Sequence, residues 1–247
     1  MILRSPLEIE KLRRSNRIVA EILAEIQSAA GPGVTTRELN DLAESRLVEK
    51  GARSAFKGYN GFPAALCTSV NEEVVHGIPS ERLLRPGDIL SLDFGAVYED
   101  YYGDAAITVP IGPISELARR LLRVAEEALR LAIEQARPEN RLLDISAAIQ
   151  RHVESQGFSV VRDFVGHGIG QRLHENPQVP NFGIPGRGPR LRPGMVLAIE
   201  PMINAGGPGV RILPDAWTAV TQDGSLSAHF EHTVAITAEG PRVLSQL

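Results

Sequence analysis

Leu84-Arg85-Pro86-Gly87-Asp88-Ile89-Leu90-Ser91-Leu92-Asp93 and Leu191-Arg192-Pro193-Gly194-Met195-Val196-Leu197-Ala198-Ile199-Glu200 are two copies of one pattern in a chain of 247 residues. Each copy joins a Pro-Gly turn to an apolar run and sets an acidic residue, Asp93 or Glu200, six positions after its glycine. Upstream of both, His76-Gly77-Ile78 returns as His167-Gly168-Ile169. A shift of 106 residues also lays Leu39, Ala43, Leu47 and Gly51 on Ile145, Ile149, Val153 and Gly157. Three matches in the same order argue against chance and for a duplicated unit. The histidine-to-acid spacing is 17 residues in the first copy and 33 in the second, so the second half holds a 16-residue insertion. The Gly- and Pro-rich tract Asn176–Pro193 accounts for it. The chain therefore reads as two halves, each a helix pair with strands, related by a pseudo-twofold axis that brings Asp93 and Glu200 together.

Local signals fill in those halves. Ser5-Pro6-Leu7-Glu8 and Thr35-Thr36-Arg37-Glu38 are capping boxes, and apolar residues at helical spacing follow each until Gly31 and Gly51. Further helices are expected from about Ser115 to Ala136 and from Leu142 to Gln156, the latter ending at Gly157. Strands are expected over Asp88–Val97, Tyr102–Val109, Met195–Ile203, Ala216–Thr221 and His229–Thr237. Composition sets the outer limits. Hydrophobic residues make up 43% and charged ones 23%, the balance of a globular protein with a substantial core. Thirty acidic against 26 basic residues give a net charge of −4, which argues against a surface that is basic throughout and hence against a DNA binder. The single cysteine, Cys67, cannot form an internal disulfide, and no apolar run reaches membrane-spanning length. With no secretory signal at the start, a cytoplasmic protein is expected, neither bound to DNA nor held in a membrane.

Four acids interrupt four apolar strands: Asp93, Asp104, Glu200 and Glu231. A turn at Tyr98-Glu99 would set Val97 opposite Asp100 and Asp93 directly opposite Asp104, about 4.5–5.5 Å apart at Cβ. A lone strand acid is usually solvated, but carboxylates gathered mid-strand must share protons or bind cations. Two divalent ions balance four carboxylates, and a histidine ligand favours transition metals over calcium or magnesium. His167, in Val165-Gly166-His167-Gly168-Ile169-Gly170, has glycine neighbours that let the backbone approach closely. His76 is its repeat mate and His174 lies seven residues further on. His229 and His232 flank Glu231; both are expected to point away from its face and are given no role. His152, on the fourth helix, reads as a surface or packing residue.

These residues resemble the methionine aminopeptidases of the compact type I class, whose pita-bread fold is itself a pseudo-twofold repeat. The resemblance runs through Gly58-Tyr59-Asn60-Gly61-Phe62-Pro63, Cys67-Thr68-Ser69-Val70-Asn71-Glu72 and Val75-His76-Gly77-Ile78-Pro79. It continues through Gly103-Asp104, Gly166–Gly170, His174-Glu175, Glu200-Pro201-Met202 and Phe230-Glu231-His232-Thr233. It implies an α/β (α+β) fold, an antiparallel sheet covered by two helix pairs. The whole chain, residues 1–247, would form one catalytic domain of two pseudo-repeats, roughly 1–110 and 111–247. It also implies five ligands for two divalent ions (Co, Mn, Fe or Zn): Asp104 and Glu231 bridging, Asp93 on one ion, His167 and Glu200 on the other. His76 and His174 would act on the substrate amide and Glu200 would move protons, while Tyr59, Phe62, Cys67 and Trp217 would line the methionine pocket.

Two positions depart from the usual pattern, Leu173 before His174 and Phe62 in place of a frequent tyrosine. The substrates implied are peptides and nascent chains with an N-terminal methionine and a small second residue, cleaved by a monomer in transient contact with ribosomes. Lys11, Arg13, Arg14 and Arg17 are the residues available for such a contact, although a solvated helix face explains them as well. A prolidase or X-prolyl aminopeptidase is the nearest rival, and those relatives usually carry a large N-terminal domain. A non-catalytic binding module of the same fold would lack some of the five ligand positions, all of which are occupied here.

Overall fold

The computed structural model describes residues 2–247. Four helices form where the capping signals place them: α1 (Pro6–Ala29), α2 (Thr36–Glu49), α3 (Glu116–Gln135) and α4 (Leu142–Ser155). At the start of α1 the Glu8 N–H donates to Ser5 Oγ, and the Glu8 carboxylate accepts from the Ser5 N–H at 2.9 Å. Thr35 and Glu38 repeat the arrangement at α2. Two orphan helix donors are satisfied reciprocally in each case. Gly51 and Gly157, matched by the repeat, follow α2 and α4 at φ +64° and +78°, the left-handed conformation that ends a helix most cheaply with glycine.

The main sheet has nine strands, all paired antiparallel. Its order runs Arg53–Ser54, Ile89–Tyr98, Tyr101–Pro110, Glu231–Thr237, Val196–Ile199, Gly166–Gly168, Glu175–Val179. Leu66–Val70 also pairs with Ile89–Tyr98, and Gly240–Val243 with Glu231–Thr237. The repeat is visible in this order. The Asp104 and Glu231 strands pair at the centre, and the Asp93 and Glu200 strands flank them on either side. Each helix pair covers its own half. Val19, Ile22, Ile26, Leu39 and Leu47 pack on Leu90, Leu92 and Phe94, while Leu121, Val124, Ile145 and Val153 pack on Leu197, Ile199 and Val234.

Three strand expectations need correction. The hairpin turns at Glu99-Asp100, both at positive φ (+50° and +63°), with Tyr98 opposite Tyr101. Asp93 therefore faces Ala106 and Asp104 faces Gly95, so the two acids are diagonal neighbours on one face and not direct partners. The expected strand Met195–Ile203 breaks into Val196–Ile199 and Met202–Asn204, because Pro201 has no N–H for a ladder. His229–Thr237 likewise divides at Phe230 into Ser227–His229 and Glu231–Thr237, which belong to different sheets. The insertion tract also contributes to the main sheet, through Glu175–Val179.

Candidate metal centre and substrate pocket

Alternation along paired strands brings the acids to one face of the sheet. Ala106 is the ladder partner of Asp93 on one side and of Glu231 on the other, so its small side chain leaves the two carboxylates facing across it. Asp104 lies two residues along the same strand, on the same face. Across the next strands, Ala198 is paired with both Thr233 and His167, and Glu200 follows two residues later. Alanine at both crossings makes a floor beneath longer polar side chains. The glycines around His167 permit the close approach expected of them. A Cβ on Gly166 would come within 2.4 Å of the Ala198 carbonyl oxygen, and one on Gly168 within 2.6 Å of that of Asn176.

Asp104, His167 and Glu231 each offer one ligand atom, all within 4.8 Å of one another and all buried. His167 Nε2 lies 3.5 Å from Glu200 Oε1 and 3.9 Å from Asp104 Oδ2. The His167 Nδ1–H donates to the Gly168 carbonyl at 3.0 Å, which leaves Nε2 as a lone pair aimed at the carboxylates. Burial, with His174 adding to it, holds the His167 imidazole neutral by lowering its pKa to about 3.

The carboxylates show the opposite effect. Burial first, then their mutual repulsion, pushes Asp104 and Glu231 well above the ordinary range. Burial raises Asp93 to about 7 and Glu200 to about 8. Among the described residues, Asp93 Oδ1, Asp104 Oδ1 and Glu231 Oε1 are buried without a hydrogen-bond partner. Buried polar atoms normally find partners, so three orphaned carboxylate oxygens facing a lone pair fit a cation.

Beside these groups lies a cavity of about 180 Å3. Tyr59, Phe62, Cys67 and Trp217 line it together with His76, His174 and the five candidate ligands, so the structure gathers every site residue named from the sequence. Phe62 and Trp217 meet edge to face at 5.1 Å. Tyr59 Oη is 2.7 Å from His174 Nδ1, and the His174 ring sits 4.3 Å from that of His167. His76 adopts φ +62°, a left-handed conformation that costs a non-glycine residue about 1 kcal/mol or more and clusters at functional sites. Its ring packs edge-on against Phe164 and Trp217, and burial lowers its pKa to about 4.

Phe56 joins the lining without having been anticipated. Outside the lining, His229 Nε2 lies 3.5 Å from Glu200 Oε2, and neither ring nitrogen has a hydrogen-bond partner among the described residues. The expectation that His229 points away from Glu231 is therefore corrected: it lies two residues earlier, on the same side, whereas His232 pairs with Ser245 at 2.9 Å on the far face.

Divalent cations relieve burial and repulsion together, so a metal-dependent enzyme is the class that this sheet face defines. More particularly, the chain belongs to metallopeptidase family M24, whose family model matches residues 10–238. It is 51% identical to Methionine aminopeptidase 1 of Bacillus subtilis over 247 residues, covering 100% of both chains. Its fold matches the crystal structure of the methionine aminopeptidase of Thermotoga maritima with a TM-score of 0.98, at 47% identity and full coverage of each chain. The prolidase of Pyrococcus horikoshii shares the fold at a TM-score of 0.80 and 23% identity, but this chain spans only 63% of that protein. The pita-bread architecture is common to them all.

Proposed function

We propose that this chain is a metal-dependent aminopeptidase that removes the N-terminal methionine from peptides and nascent chains whose second residue is small. The observation that carries it is the junction of an acidic, histidine-bearing sheet face with an apolar cavity of methionine-like chemistry, in a chain 51% identical from end to end to a methionine aminopeptidase. The 51% identity to that relative, against 23% to the prolidase, favours methionine over proline-directed cleavage.

Asp93, Asp104, His167, Glu200 and Glu231 would hold two divalent ions, with Asp104 and Glu231 shared between them. When bound, such ions lower the pKa of water toward neutrality and polarise a carbonyl. The residues of the chain do the remaining work. Glu200 takes a proton from the attacking water and returns it to the departing amine, the shuttle role of a carboxylate placed beside the reacting water. Burial raises the Tyr59 pKa, so its hydroxyl keeps its proton and donates to His174 Nδ1. His174 then carries its own proton on Nε2 and offers it to the oxygen on which charge develops. His76, neutral and fixed between aromatic rings, contacts the substrate amide. Tyr59, Phe62, Cys67 and Trp217 take the thioether, whose sulfur packs well against aromatic walls.

In the cell we take the protein as one catalytic domain over residues 1–247, a cytoplasmic monomer that touches ribosomes only transiently. Arg13, Arg14 and Arg17 are paired with Glu10, Glu99 and Glu21, which supports a solvated helix face more than a strong RNA contact. Among the described residues no helix is long and apolar enough to cross a membrane. Calorimetric titration with Co or Mn tests the ligand set: two ions are expected to bind, and Asp104→Ala or Glu231→Ala should abolish two-site binding. Unchanged two-site binding in either variant overturns the assignment. Release of proline-adjacent residues from Gly-Pro peptides, without methionine release from Met-Gly peptides, would move the substrate to the prolyl relatives.

A further inference from the structure

We propose that Arg4 is a positioning residue that holds His174 at the mouth of the cavity by clasping Glu175. The two side chains are 171 positions apart in sequence and both are nearly shut off from solvent, at 4% and 9% exposure. Arg4 Nη2 donates to both Glu175 oxygens, each within 2.6 Å. Glu175 Oε1 also accepts the backbone N–H groups of Gln171 and Arg172, at 3.0 and 3.2 Å. One carboxylate therefore ties the whole turn 171–175 to the N-terminal segment. That segment is itself anchored, since the Arg4 N–H donates to the Gly194 carbonyl at 2.7 Å.

The guanidinium packs against Gly170, the residue before the turn. A Cβ at Gly170 would come within 1.9 Å of Arg4 Nη2, so only glycine lets the cation settle there. The Gly170 carbonyl in turn accepts the Tyr102 N–H at 2.8 Å, two residues before Asp104. His174 stands between Leu173, buried at 3%, and the clasped Glu175. Its ring reaches the cavity, bonded to Tyr59 and packed edge-on against His167. The backbone beneath it is fixed by the clasp together with the ladder pairing of Glu175 and Gly168.

Removing the cation leaves a buried carboxylate with two backbone donors and no counter-charge, a costly state that relaxes by moving the charge to water. Water is close, because a groove of about 670 Å3 runs along Arg4, Arg172, His174 and Glu175. As Glu175 turns into it, the 171–175 turn loses its tie and His174 moves with it. No candidate ligand is bonded to Arg4, so the effect falls on His174.

The proposal rests on the role given to His174 above, and the test separates the two. In the metal-loaded enzyme, Arg4→Gln is expected to lower kcat on a Met-Ala peptide by about 10- to 100-fold, the scale of a displacement of ~1 Å. KM and metal affinity should stay within about twofold, and Arg4→Lys should recover part of the loss, since it keeps the charge but not the planar guanidinium. In a His174→Ala background, adding Arg4→Gln should cost nothing further, because both act through one group. Amide exchange at Gln171 and Arg172 should accelerate at least about tenfold in Arg4→Gln as their acceptor is released.

Additive losses, a fall in metal affinity, or unchanged exchange at those two amides would overturn the clasp. Full activity of His174→Ala alone would instead remove the role of His174, with the exchange data still deciding whether Arg4 orders the turn. If Arg4→Gln does not fold, Glu175→Asp shortens the clasp while keeping its charge and carries the same set of measurements.

Discussion

Stripping the metal should leave a protein that becomes less stable as pH rises from 7.5 to 9, and the burial of its carboxyls sets the direction of the effect. Asp104 and Glu231 are held well above the ordinary carboxyl range by burial and by each other, so the metal-free fold holds protons more tightly than the unfolded chain does. In the unfolded chain both are ionised above pH ~6. A carboxyl whose folded pKa is raised contributes stability at acid pH and loses it as pH climbs toward the folded value. A carboxyl protonated in the fold and ionised in the unfolded chain costs about 1.4 kcal/mol per pH unit, and Asp104 and Glu231 both shift the balance in this direction over the window. Glu200, at about 8, adds to the loss in its lower half, and Cys67, raised by burial, adds to it in the upper half.

The buried histidines act in the opposite direction. His76 and His167, lowered to about 4 and 3, favour the fold as the unfolded imidazoles lose their protons near pH 6.5. That gain is complete by about pH 7.5, which is why the window starts there. In a chain of this size each 1 kcal/mol lost corresponds to roughly 2–4 °C in Tm. Thermal unfolding of chelator-treated and metal-loaded protein across the window reads it directly. The loaded protein, with its carboxylates already ionised, should show a much shallower slope. A metal-free Tm that is flat or rises between pH 7.5 and 9 would refute the claim that these carboxyls are buried protonated without cations.

Two substitutions extend the test to the histidines. His174→Ala should keep its full metal complement while turnover falls by ~10²–10³, the usual cost of a lost donor to a developing oxyanion, and metal loss in parallel with activity would make His174 a ligand. His229→Ala should weaken metal binding by about 10- to 100-fold, since it removes the group beside Glu200 that supports a ligand from behind, and an unchanged calorimetric affinity would remove His229 from the site.

The repeat carried most of the fold in the open. Matching Pro-Gly turns, acids and helix-ending glycines are local signals, and the pseudo-twofold sheet follows from them. The four strand acids and His167 were legible because polar residues inside apolar strands and a glycine-flanked histidine stand out without tertiary knowledge, whereas Tyr59, Phe62, Cys67 and Trp217 were implied only by the resemblance to methionine aminopeptidases. The register of the Asp93–Asp104 hairpin was not legible. Its turn, Glu99-Asp100, takes two positive φ angles without a glycine to announce them, and a shift of one residue in the turn moves the pairing by two. His229 was legible but misplaced: two residues before Glu231, it shares that residue's face by the alternation rule, and only His232 lies opposite. The Arg4–Glu175 contact lies beyond any local signal, as it joins residues 171 positions apart.

Methionine release from paired Met-Ala and Met-Phe peptides, by metal-loaded protein and by the same protein after chelation, tests the central claim most directly. In the proposed function the methionine side chain would fill the cavity lined by Tyr59, Phe62, Cys67 and Trp217, and the second side chain would meet the rim near His76 and His174. A long group there displaces the scissile carbonyl, and ~1 Å of displacement costs about 10²-fold in rate. Met-Ala should therefore be cleaved at least about 100-fold faster than Met-Phe, and chelation should abolish both. Comparable rates for the two peptides, or methionine release that survives removal of the metal, would contradict the account.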